Sequence, residues 1–113
     1  NRVKVVTDVW GRAMYFSRSA IPFALGSNVP HDGFWVHCGV YAFRRRQLLA
    51  FGSLPRGRLE MAESLEQLRA LENGWSIAVV DGGQPGLSVD TQADLEEARL
   101  WATRSGRREN NLP

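Results

Sequence analysis

The sequence predicts an α/β fold with a β-hairpin arm, and three features of its 113 residues carry that prediction. Two short β-prone runs, residues 3–7 and 13–17, flank a connector holding Asp8 and Gly11, turn formers that argue for a hairpin. Residues 59–73 repeat apolar side chains at helical spacing. An apolar run at residues 75–80 then leads, through a Pro-Gly loop, into a segment with helix-start chemistry.

The elements follow in order. Residues 18–33 hold Pro22, Gly26, Asn28, Pro30, His31, Asp32 and Gly33, so they read as a long irregular loop, a type of segment that is usually functional or mobile. Residues 34–43 are dense in aromatic and β-branched side chains and predict a strand. Residues 44–51 have room for a short helix closed by Gly52, and residues 53–58 form a connector. In the helix predicted over 59–73, Met61, Leu65, Leu68 and Leu71 fall on one apolar arc, and Asn73-Gly74 is a stop signal. Residues 75–80 predict a buried strand. Thr91 and Asp94 fit the capping pattern [ST]-x-x-[DE], which makes Thr91 the N-cap of a helix reaching Arg104. The order is β-β-loop-β-α-α-β-α, with residues 1–104 as one α/β domain and 105–113 as a polar, frayed tail.

A hydrophobic content of 43% suffices for a core, and no run approaches the roughly 20 apolar residues that span a membrane, so no membrane insertion is expected. The net charge is +2. Most of the positive charge is arginine, at Arg44-Arg45-Arg46, Arg56, Arg58, Arg104, Arg107 and Arg108, without the interleaved aromatics of a nucleic-acid surface. No nucleic-acid partner is expected. The lone Cys38 excludes an internal disulfide and fits a reduced, intracellular composition. The start lacks an initiator Met and begins in a strand-like segment, as in a piece of something longer.

Several residue groups carry possible chemistry. Glu63, Glu66 and Gln67 gather on the polar side of the long helix, with Glu60 at its margin. Such an acid-amide face suits a hydroxyl-rich ligand, and equally suits solvent. Strand alternation puts Trp35, His37, Gly39 and Tyr41 on one side, where the glycine leaves space for a ligand, and Cys38 on the apolar side as an inert core thiol. Arg18, at the exit of the second strand, can fork onto a carboxylate or phosphate, or stand exposed. Asp90 lies one residue outside the capped helix, either as a solvated acid favoured by the helix dipole or as an oxygen ligand for a metal ion. There is no phosphate loop of the G-x-x-x-x-G-K-[ST] type, and two histidines allow no Ser-His-Asp arrangement.

Together these segments resemble one family. Val5-Val6-Thr7-Asp8 with Gly11 to Arg18, His37-Cys38-Gly39-Val40-Tyr41, the run from Glu63 to Gly74, Pro85-Gly86, and Val89-Asp90-Thr91 with Asp94-Leu95 are similar to the 3-deoxy-manno-octulosonate (Kdo) cytidylyltransferases. The resemblance covers residues 3–99. It implies the C-terminal portion of a doubly wound nucleotide-sugar transferase-like fold, with a mixed sheet and a β-hairpin arm. It implies a cytoplasmic bacterial enzyme of lipopolysaccharide synthesis, in which the Kdo 2-hydroxyl attacks the α-phosphate of CTP and pyrophosphate leaves, with Mg²⁺ neutralising the developing charge. By the same resemblance, Arg18, His37, Tyr41, Glu63, Glu66 and Gln67 bind the sugar, Asp90 is a metal ligand, and the hairpin and third strand form a homodimer. The CTP-phosphate loop and the other metal-binding aspartate belong to an N-terminal half this chain does not contain, so the chain alone is expected to be inactive. The other reading is a non-catalytic dimerisation or binding module derived from that family. A third is a transferase for a different acidic sugar.

Overall fold

A computed structural model describes residues 2–26, 28, 33–83 and 89–109, without the side chains of 105–109. Parts of the long loop (27 and 29–32), the Gln84 to Ser88 portion of the Pro-Gly loop, and 110–113 of the expected tail lie outside the described residues. The chain divides into two compact units, 1–82 and 83–113, where the sequence suggests one domain to residue 104.

In the first unit, β1 (Lys4–Thr7), β2 (Ala13–Ser17) and β3 (Phe34–Val36) form an antiparallel sheet in the order β2-β1-β3. The hairpin is closed by its acid: Asp8 Oδ1 accepts bonds from the backbone N–H of Trp10 and Arg12, both at 2.9 Å, and Arg12 Nε donates to Oδ2 at 2.8 Å. Gly11 takes φ +78°, a left-handed value that a side chain would disfavour. These bonds, led by the Arg12 backbone N–H, hold the Asp8 carboxyl below its ordinary range.

The third strand is shorter than predicted. It pairs only through Val36, with His37 N–H still donating to Val3 O at 2.8 Å. Beyond that point the chain folds back on itself, Val40 N–H reaching Cys38 O at 2.7 Å, which is a three-residue turn and ends the alternation. Cys38 is therefore exposed and not the core thiol expected.

Among the described residues four helices follow: α1 (Arg45–Phe51), α2 (Arg58–Glu63), α3 (Gln67–Glu72) and, in the second unit, α4 (Gln92–Glu109). The single helix predicted over 59–73 is thus two. Ser64 sits at φ +51°, ψ +49°, a left-handed conformation that stops α2 and re-aims the chain into α3. Leu65 and Leu68 go into the core with Val5 and Phe16 of the sheet, and Leu71 packs against them. Met61, before the break, is turned out and is 56% exposed. The Asn73-Gly74 stop forms as expected, with Gly74 N–H on Leu71 O and Trp75 N–H on Ala70 O, the paired bonds of a Schellman ending.

The run at 75–80 is a strand by composition only. Among the described residues its pairing is one bridge, Arg12 to Ala78, flanked by Ala13 N–H to Ile77 O and Val79 N–H to Gly11 O, each 2.8 Å. In the second unit the capping box is present: Asp94 N–H donates to Thr91 Oγ1 at 3.1 Å, and Thr91 N–H to Asp94 Oδ2 at 2.9 Å. The helix it starts runs to Glu109, past the Arg104 boundary expected from composition.

Candidate functional site

The break at Ser64 builds the site. It places Glu63 at the end of α2 against the exit of β2, and Gln67 at the start of α3 against the core. Glu63 Oε1 accepts from Ser17 Oγ at 2.6 Å and from the Tyr15 hydroxyl at 3.3 Å, and Oε2 accepts from Arg18 N–H at 2.9 Å. The Ser17 hydroxyl and the Arg18 amide, followed by Tyr15 and the Arg18 charge, hold the Glu63 carboxyl below the ordinary glutamate range. The Arg18 guanidinium in turn donates from Nε to Glu63 O at 2.6 Å and from Nη2 to Ser64 O at 3.0 Å. Arg18 and Glu63 are thus brought together, although Glu63 turns its carboxylate toward β2.

The acid-amide face is solvated in part: Glu66 is exposed and Glu63 half-buried. Gln67 is buried, and among the described residues its Nε2 has no hydrogen-bond partner. An unpaired buried amide costs free energy, so Gln67 Nε2 is a donor that a ligand or water oxygen can satisfy. Gln67 lines an open cleft of about 460 Å³ together with Arg56, Glu60, Ser64, Leu65, Glu66 and Arg69. Glu60, placed at the margin by sequence, is buried as well. Arg69 clamps it with Nε to Oε2 at 2.8 Å and Nη2 to Oε1 at 2.6 Å, and Arg56 Nε approaches Oε1 at 3.3 Å. These arginines, Arg69 first, hold the Glu60 carboxyl below its ordinary range.

His37 and Tyr41 also meet, though by the turn at 38–40 and not by strand alternation. Their Nε2 and Oη share a short hydrogen bond. Phe16 stands edge-on to the His37 ring at 5.4 Å between centroids, and Tyr41, Phe43, Phe51 and Trp75 continue the aromatic contacts. Burial lowers the His37 pKa, favouring neutral imidazole, and burial followed by the Glu66 charge pushes Tyr41 up to about 12. The pair is therefore an uncharged donor–acceptor couple at neutral pH.

Asp90 lies in the second unit, exposed, with its backbone N–H donating to Asp94 Oδ2 at 3.1 Å. Among the described residues no group of three or more His, Cys, Asp or Glu side chains is arranged to hold a metal. Mg²⁺ takes six oxygens in near-ideal octahedral geometry, so a single carboxylate here fits one ligand of a shared site and not a site by itself. A second hollow, about 390 Å³, is lined by Thr7, Asp8, Trp35 and Asp81 among others, but its Asp8 carboxylate is taken by the hairpin turn.

Sequence reasoning missed Ser17 and Arg69, and put Glu60 at the margin of the face without its burial or its arginine partners. The only signal for Ser17 was a hydroxyl beside Arg18 at a strand end. For Glu60 and Arg69 the spacing of nine residues matches no helical face, and the pair forms only because the helix breaks between them.

The chain carries an arginine, a buried amide and a neutral His–Tyr couple, groups suited to a hydroxylated anion, although Arg18, His37 and Tyr41 are not among the residues that line the Gln67 cleft. Residues 1–77 match the family model described as Cytidylyltransferase. The chain belongs to the cytidylyltransferase family. It is 51% identical over 96 residues to the 3-deoxy-manno-octulosonate cytidylyltransferase of Leptospira interrogans, covering 85% of this chain and 38% of that protein. It is 50% identical over 104 residues to the enzyme of that name from Synechococcus elongatus, covering 91% and 42%. A solved CMP:2-keto-3-deoxy-manno-octonic acid synthetase complexed with CTP superposes with a TM-score of 0.80 at 39% identity, over 92% of this chain and 42% of that one. The chain thus spans about two fifths of the length of the curated relatives it matches. Among the described residues no helix is long and apolar enough to cross a membrane.

Proposed function

We propose that this chain forms the acidic-sugar side of a CTP-dependent transferase that couples Kdo to CMP and releases pyrophosphate. The observation that carries the reading is the buried Gln67 amide, unpartnered in an open cleft, in a chain whose relatives are named for that sugar. Arg18 meets the sugar carboxylate, Gln67 and Glu66 meet its hydroxyls, and the His37–Tyr41 couple supplies neutral hydrogen bonding. The nucleotide side and the second metal-binding carboxylate come from polypeptide that corresponds to the rest of the relatives' length. Mg²⁺ supplies charge neutralisation when bound, and Asp90 contributes one oxygen to it. The whole enzyme works in the cytoplasm as a homodimer and serves lipopolysaccharide synthesis.

The test is a titration of the ¹⁵N-labelled chain with Kdo and, separately, with mannose. Saturable shifts at Arg18 and at the Gln67 side-chain amide with Kdo only are the expected result. Equal shifts with the neutral sugar, or none with Kdo, reject the assignment. In an enzyme reconstituted with the nucleotide half of a relative, Asp90→Asn should remove most CMP transfer while leaving that Kdo titration unchanged.

A further inference from the structure

We infer that Glu63 is a positioning residue for Arg18 and not itself a ligand of the sugar, an inference that rests on the assignment of Arg18 to the sugar carboxylate. Both oxygens of its carboxylate already accept bonds from β2 and the residue that follows it: Ser17 Oγ at 2.6 Å and Tyr15 Oη at 3.3 Å on one, Arg18 N–H at 2.9 Å on the other. The Ser17 hydroxyl is aimed in turn, because its oxygen accepts from Ser19 N–H at 3.0 Å. The carboxylate therefore pins the backbone of the residue that carries the guanidinium.

The peptide carbonyls on either side of the break complete the hold. In an uninterrupted helix the oxygens of Glu63 and Ser64 would accept from the N–H groups of Gln67 and Leu68. The left-handed Ser64 ends that ladder, and Leu68 N–H goes instead to Leu65 O at 3.2 Å. The Glu63 and Ser64 oxygens are left to receive Arg18 Nε and Nη2, at 2.6 and 3.0 Å. A guanidinium has five N–H donors in a rigid fork, so two fixed on carbonyls orient the others toward an anion. One residue thus fixes Arg18 twice, through its side chain and through its own carbonyl.

The experiment is hydrogen exchange of the Arg18 Nε–H, read by ¹⁵N NMR in the full chain, alongside Kdo titration. In Glu63→Gln one oxygen becomes a donor facing donors, so Arg18 Nε–H should exchange roughly tenfold faster and Kdo should bind roughly tenfold more weakly. Val3→Ala, which trims the same core, is the control: it lowers the melting temperature and leaves the Arg18 signal in place. If Glu63→Gln does not fold, Ser17→Ala, which deletes the 2.6 Å bond, gives the same readout. An unchanged Arg18 Nε–H in a folded variant overturns the inference, as does a Kdo-induced shift of the Glu63 carboxyl carbon with Arg18 undisturbed. Faster Arg18 exchange in a chain that does not bind Kdo upholds the positioning and rejects the sugar assignment alone.

Discussion

Leu68→Ala set against Met61→Ala tests whether the polypeptide between residues 59 and 73 is one helix or two. Leu68 is 0% exposed and packs with Val5, Phe16 and Leu65, whereas Met61 is 56% exposed on the far side of the Ser64 break. Truncating a fully buried leucine removes its transfer free energy and leaves a cavity, together about 3 kcal/mol. A unit of 82 residues carries a total stability of about 4–12 kcal/mol at the usual value per residue. The loss is therefore a large part of the whole. With a urea slope near 1 kcal/mol/M for so small a unit, the midpoint should fall by about 3 M at unchanged slope. Met61→Ala should stay within about 0.5 kcal/mol, as for surface substitutions generally. The assay is urea unfolding followed by far-UV circular dichroism and tryptophan fluorescence. If Met61→Ala lowers the midpoint as far as Leu68→Ala does, all four residues of the arc share one core face and the break is wrong.

Two further outcomes follow from the buried polar groups. Gln67→Met keeps the volume and removes an amide that has no partner, so stability should rise by about 1 kcal/mol while Kdo binding is lost, both measurable on one sample by melting and titration. For pH, the folded pKa values of Glu60 and Glu63 are depressed, so the unfolded chain binds more protons in acid and both groups stabilise the fold above the ordinary glutamate value of 4.5. That stability is lost as pH falls through the depressed values. His37, held below its ordinary 6.5, has the same sign and begins a smaller loss as pH drops past 6.5. Melting temperature against pH should therefore slope gently below 6.5 and steeply below 4.5, and Glu63→Gln should flatten the steep limb; a melting temperature that rises on acidification contradicts both assignments.

The hairpin and the start of the last helix were legible because their determinants are local, whereas the end of that helix ran on to Glu109 beyond the boundary expected. Asp8, Gly11, Thr91 and Asp94 bond to backbone within four residues, so spacing alone locates them. The residues at the site were legible as chemical types, and much of their geometry was not. Ser is no marker for a left-handed residue, so nothing local announces the Ser64 break, and without it Glu60 and Gln67 look like surface. His37 and Tyr41 were paired by alternation, yet they meet through a turn whose glycine reads equally well inside a strand. Residues 75–80 have strand composition, but a strand also needs neighbours, and pairing is a property of the whole sheet.

α2 and α3 come apart together. Glu60 is gripped from α3 at two points: Arg69 holds its carboxylate, and Glu72 Oε1 accepts its backbone N–H at 2.9 Å, capping the first turn of α2 from the neighbouring helix. Neither helix is long enough to persist in isolation. Each end of the latch lies on the other's account of stability, so amide protection in 58–63 and 67–72 should vanish together at one opening free energy. The pair is then a single cooperative folding unit, and the cleft it frames is present or absent as a whole.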